Sequence, residues 1–199
     1  MKPVARNEVL GLAEYEEIRE PFRSRVIAEK RGRRVPLGPQ ASCLFENRDT
    51  ALLQIQEMLR TERITREAAI LHEIETYNQL VPGDHELSAT VLIEIDEKAE
   101  RETFLFEAKG LDRAFALVVD GAPCAGKHDE AREQPDRTTA VHYLKFLLTA
   151  AAERALRDVL EKKRKPADLV VEVAVEHPRY SAKATLPASM VASLAEDLA

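Results

Sequence analysis

Tryptophan is absent, aromatic residues make up 5% of the 199 residues, and there are only 2 cysteines and 7 glycines. So few aromatics leave little for a base-stacking, nucleic-acid-binding platform. Two cysteines exclude a disulfide-stapled scaffold and a four-cysteine zinc site. Scarce glycine excludes collagen-like and low-complexity chains. No apolar run approaches the ~20 residues of a membrane helix, and Met1–Glu8 does not resemble a signal peptide. Cys43 and Cys124 are accordingly expected to be reduced thiols of a cytoplasmic protein.

What is present is aliphatic and charged: 45% hydrophobic and 32% Asp, Glu, Lys and Arg, with a net charge of −6. That average conceals an uneven chain. Residues 1–66 carry +3, residues 67–136 carry −11 and residues 137–199 carry +2. An acidic middle between basic flanks reads as electrostatic matching within the fold or with a partner. The length suits a single domain over residues 1–199.

Periodicity supplies the elements. Tyr15, Ile18, Phe22 and Val26 predict a helix over 13–31, interrupted at Pro21. Short edge strands fit up to Phe45. A helical hairpin follows, with Leu52, Ile55 and Leu59 inward on one arm and Ile70, Ile74 and Tyr77 on the other. Strict alternation over Leu87–Ile95 predicts a half-buried strand, 97–109 a short acidic helix, and Ala114–Val119 a central strand. Val141, Leu144, Leu148, Ala151, Ala155 and Val159 predict one long helix from Thr138 to Lys165, stopped by Pro166. Two strands over 171–175 and 180–186 and a last amphipathic helix complete the pattern. It predicts an α+β, two-layer fold: a mainly antiparallel sheet with helices packed on one face, including a helical hairpin and one long helix.

Chemistry-bearing motifs are incomplete. Gly121–Lys127 matches the first part of a phosphate loop, but His128 stands where a Mg²⁺-binding Ser or Thr belongs and the acidic stretch 129–135 follows. Asp120-Gly121 is read as a hairpin turn leading into a mobile acidic loop. His72, His85 and His128 lie beside carboxylates, yet no Glu-x-x-His, His-x-x-x-His or Cys-x-x-Cys occurs, so no metal or cofactor is assigned. Cys124, near Lys127 and His128, is conceivable as a redox-responsive thiol. The basic run Arg19, Arg23, Arg25, Lys30, Arg31, Arg33 and Arg34 would attract phosphate or nucleic acid. Pairing with the acidic middle, of this fold or of a second subunit, is the preferred reading, and nucleic acid is disfavoured.

The strings RRVPLGP (33–39), FENRDTALLQIQEMLRTERI (45–64), ETYNQLVPGDHELSATVLIEI (75–95), VHYLKF (141–146) and EHPRY (176–180) resemble a bacterial domain-of-unknown-function family, number 3501. The resemblance implies genes beside a rubrerythrin and an iron–sulfur oxidoreductase, hence a role near peroxide detoxification or electron transfer. It transfers no catalytic residue. Within 45–64 the polar face is larger than core packing requires. The candidate ligand or partner surface is therefore drawn as Arg33, Arg34, Arg48, Glu57, Arg60, Tyr77 and His177. The expectation is a cytoplasmic accessory or interaction protein of a redox or oxidative-stress pathway. It would be a homodimer with a redox protein partner, non-enzymatic for want of a complete catalytic constellation, and off the membrane. The alternatives are a small-molecule binder or enzyme whose polar cleft uses Glu57, Arg60 and His177, and a His/carboxylate metal-binding protein.

Overall fold

The computed structural model describes residues 1–128 and 134–199. Eight strands form one sheet: β1 (Arg34–Pro36), β2 (Ala41–Glu46), β3 (Glu86–Ile93), β4 (Phe115–Val119), β5 (Ala122–His128), β6 (Val141–Leu147), β7 (Val171–His177) and β8 (Tyr180–Thr185). Their order is β1-β2-β3-β6-β5-β4-β7-β8, and every ladder is antiparallel. Among the described residues six α-helices accompany them: α1 (Leu12–Gly32), α2 (Arg48–Thr61), α3 (Glu67–Asn78), α4 (Lys98–Glu107), α5 (Ala150–Leu160) and α6 (Ala188–Glu196).

The sheet curls until its two edges nearly meet. Tyr180, the first residue of β8, donates its hydroxyl to the Leu37 carbonyl at 2.5 Å and accepts from the Gln40 amide at 3.2 Å, both in the β1–β2 connection. Gly38 makes that approach possible. Its φ of +76° lies in the left-handed region, and a Cβ there would stand 2.6 Å from the Tyr180 hydroxyl. The interior is filled by one cluster drawing on both ends of the strand order, from Cys43, Phe45 and Val91 through Leu117 and Phe146 to Val173.

This corrects the two-layer expectation: the molecule is an eight-stranded antiparallel near-barrel. Its helices do not occupy one face. Phe104 of α4, Leu156 of α5 and Leu194 of α6 join the main interior cluster. The α1–α3 layer builds a separate core from Ile55, Leu59, Ile70 and Ile74. Two strands, β5 and β6, account for the difference. The long helix expected over 138–165 is instead β6 followed by α5, whose N-cap Thr149 accepts from the Ala152 amide at 3.2 Å. In β6, His142, Leu144 and Phe146 are buried while Val141 and Leu147 are exposed, a strand's period of two. Residues 122–128 likewise form a strand. With eight twisted strands the sheet curls towards closure rather than lying open under a helical layer.

The remaining elements follow their local chemistry. The Asn47 side chain accepts from the Thr50 amide at 3.0 Å and the Thr50 hydroxyl accepts from the Asn47 amide at 2.9 Å, which caps the start of α2. Pro21 lies inside α1. Asp120 and Gly121, with φ of 52° and 82°, make the tight turn from β4 to β5. The acidic loop read over 129–135 falls largely on residues 129–133, outside the described residues. No helix among the described residues is long and apolar enough to cross a membrane.

Candidate functional site

The residues proposed from sequence are placed in separate environments. Arg33, 2% exposed, is buried against α6, where its guanidinium meets Asp197 and donates to the Ser193 hydroxyl at 2.7 Å. It also donates to the Phe45 carbonyl at 2.9 Å and the Glu46 carbonyl at 3.2 Å. Arg34 reaches Glu94 at 3.1 Å. Arg48 pairs with Glu8 and donates to the Lys2 carbonyl at 3.2 Å. Glu57 receives Arg19 through both carboxylate oxygens, at 2.8 and 2.9 Å, and the Tyr15 hydroxyl at 2.7 Å. That guanidinium, first, holds the Glu57 carboxyl below its ordinary range. Arg60 pairs with Glu16 at 2.8 Å. Tyr77 packs at the α1–α3 core and His177 bonds the Lys109 carbonyl at 3.0 Å.

Glu57 and Arg60 therefore meet α1, Arg33 meets α6 and His177 sits at the end of β7: they do not share a cleft. Arg19, Arg23 and Arg25 of the basic run are paired, mostly with their own neighbourhood. Arg19 and Arg23 face Glu57, and Arg25 faces Asp49 and Glu29. Of the partners named for this run, only Glu94 comes from the acidic middle.

A different constellation lies at one end of the sheet. The 3₁₀ turn Leu111–Arg113 enters β4, β5 ends at His128, and β6 begins at Val141. Gly110, at φ +87°, sets the turn. Together they enclose a cavity of about 360 Å³, lined by Lys109, Asp112, Arg113, His128, Arg137, Thr138, Thr139, His142 and Tyr143 among others. The register that sets Lys127 opposite Lys145 and His128 opposite Leu144 turns His128 to the same sheet face as buried Leu144 and His142. His128 Nε2 lies 3.0 Å from the Asp112 carboxylate, with both side chains largely buried.

His142 is 4% exposed and its Nε2 has no hydrogen-bond partner among the described residues. The ring lies against Phe115, centroids 5.4 Å apart. Burial is the main force holding its pKa down, to about 4; Asp112 opposes this and His128 adds to it. His142 is thus neutral at physiological pH, with one ring nitrogen protonated and the other bare. Such an orphan is uncommon in a buried interior. Among the described residues that line the cavity, Lys109, Arg113 and Arg137 stand with Asp112, and Arg137 also pairs with Glu102.

The metal readings are not assembled. Among the described residues no group of three or more His, Cys, Asp and Glu side chains is placed to hold a metal ion. His85 contacts Glu153 at 2.8 Å and is largely solvated, and His72 lies exposed on α3. Of the site residues, His128 was visible in the sequence for its acidic neighbours. Asp112, Thr139 and His142 were not, although the alternation of β6 would have pointed His142 inward.

A crystal structure of a novel protein of unknown function from Burkholderia pseudomallei K96243 matches this chain at 33% identity and a TM-score of 0.88, over 100% of both chains. No curated protein matches. The family model described as "Protein of unknown function (DUF3501)" matches residues 3–198. Matched over almost its whole length, the chain belongs to the DUF3501 family.

Proposed function

We propose that this chain binds a small anionic molecule in the cavity at the β5–β6 end of the near-barrel. The observation that carries the reading is His142 Nε2, buried and without a hydrogen-bond partner among the described residues, beside a cavity that Lys109 also lines. The lining is mostly polar and charged, and the mouths of β-barrels are a common place for small-molecule sites. The volume is at the small end for such sites. The redox-pathway reading draws nothing from the thiols. Both cysteines are buried, and burial pushes the Cys43 thiol up to about 12.

The test is NMR titration of ¹⁵N-histidine-labelled protein with acetate and inorganic phosphate. We expect saturable movement of the His142 ring resonances, weakened at least about tenfold in a Lys109→Ala/Arg137→Ala variant, as loss of charge-assisted contacts implies. If neither anion moves them, the pocket is not an anion site.

A further inference from the structure

We infer that a second cavity, on the outer face of the near-barrel, binds a small aromatic monocarboxylate. Lys127 and the Ser88 hydroxyl take the carboxylate, and the rings of Tyr77 and Tyr143 meet the aromatic body. The inference does not depend on the anion site proposed above.

The site follows from strand register. Leu87, Ala89 and Val91 of β3 join the interior cluster, so Ser88 between them points to the outer face. The ladders set Ser88 opposite Lys145, and Lys145 opposite Lys127, in one row across β3, β6 and β5. The C-terminal end of α3 and Leu80 beyond it cover this row and leave a cavity of about 520 Å³. Ser88 lines it and is 2% exposed, yet its hydroxyl makes no hydrogen bond to another described residue. Buried hydroxyls are ordinarily paired. Lys145 is already held, donating to the Val81 carbonyl at 2.6 Å and to Glu86 at 2.8 Å. Lys127 is exposed and has no hydrogen-bond or ion-pair partner among the described residues.

These groups select the ligand. Lys145 and Glu86 cancel one another, which leaves the Lys127 ammonium to be balanced by one negative charge. An ammonium and a hydroxyl can both donate to a carboxylate. Ser88 and Lys127 stand two strands apart, about 10 Å at the backbone, and the flexible lysine stem closes that gap to the reach of one carboxylate. Lys127 is also the lysine of the partial phosphate-loop match, but it lies within β5 rather than on a loop that opens a helix, so the phosphate cradle of that motif is not built. The other side of the cavity is apolar, with Leu80 against the rings of Tyr77 and Tyr143. Such rings favour another ring, offset or edge-on.

The experiment measures binding of benzoate, benzamide and cyclohexanecarboxylate by calorimetry, with ring resonances of ¹³C-tyrosine-labelled protein reporting the place. Tyr143 lines both cavities, whereas Tyr77 lines this one and not the other, so Tyr77 is the reporter. We expect benzoate to move the Tyr77 resonances and to bind about tenfold more tightly than benzamide, as charge-assisted contacts imply. It should also bind more tightly than cyclohexanecarboxylate. In Lys127→Met the advantage over benzamide disappears, in Lys127→Arg most of it stays, and Ser88→Ala weakens benzoate severalfold. The Lys109→Ala/Arg137→Ala variant binds benzoate as the parent does. Benzoate binding that this variant loses and Lys127→Met keeps would put the ligand in the end cavity, overturning this inference and leaving the anion reading standing. Equal affinity for benzoate and either comparison compound, or no movement of Tyr77 with any of the three, overturns it whatever acetate and phosphate do at His142.

Discussion

At the scale of single residues, His142 does two things that pull against one another. It holds a neutral imidazole in the interior, and that makes the fold sensitive to acid. In the unfolded chain a histidine titrates near 6.5, whereas burial holds this one at about 4. Between those values the unfolded state takes up a proton that the folded state refuses. The contribution is therefore complete above pH ~6.5, declines as pH falls, and is spent near pH 4. Its size is roughly 3 kcal/mol. Urea unfolding at neutral pH and near pH 4.5 should show His142→Phe losing much less stability on acidification than the parent. An unchanged pH slope would mean that His142 is not the responsible group. Residue chemistry was partly legible in the sequence. Arg33 was visible as a cation beside a turn, but its partner is 164 positions away. Nothing in the spacing of residues 19–34 distinguishes a buried guanidinium from solvated ones.

At the scale of elements, most helices and the more regular strands could be read from periodicity. Alternation gives β3, and the three- and four-residue spacing gives α1 and the α2–α3 hairpin. The failures have a common cause. In 141–148, Val141, Leu144 and Leu148 fall at helical spacing by coincidence, while the inward set His142, Leu144 and Phe146 alternates. In 122–128, Pro123 and Gly126 are poor strand formers. Gly126 nevertheless fits, because a Cβ there would lie 3.1 Å from both the Phe115 carbonyl oxygen and the Phe146 ring. These two strands carry His128 and His142, so misreading them also hid the site. A second element-level consequence concerns α6, tied to α1 and β2 by the Arg33–Asp197 pair, 2% and 3% exposed. Asp197→Ala leaves a buried guanidinium uncompensated and should cost about 3–5 kcal/mol in denaturant unfolding. Arg33→Met/Asp197→Leu should cost less than the sum of its single changes. Strict additivity would show that the pair does not act as a unit.

At the scale of the whole molecule, the near-barrel depends on a contact between strands at opposite ends of the order. Gly38→Ala would strain a left-handed residue and press a methyl group onto the Tyr180 hydroxyl. Tyr180→Phe removes that hydroxyl and leaves the Leu37 carbonyl without its donor, at about 1–3 kcal/mol. Because Tyr180→Phe removes the atom that a Cβ at Gly38 would strike, Gly38→Ala should be less damaging in the Tyr180→Phe background than in the parent. Equal penalties in both backgrounds would place the seam elsewhere. The closure was not legible in the sequence, since Gly38 and Tyr180 are joined by no local pattern. The Arg33–Asp197 link spans 164 positions, and that separation has a meaning in time. A ribosome adds about 5–20 residues per second. Arg33 therefore leaves the ribosome on the order of ten seconds before the carboxylate that neutralises it. Throughout that interval the side of Arg33 that α6 will cover stays open to water. The nascent chain must wait for its last helix, and the fold is completed only after synthesis has passed residue 197.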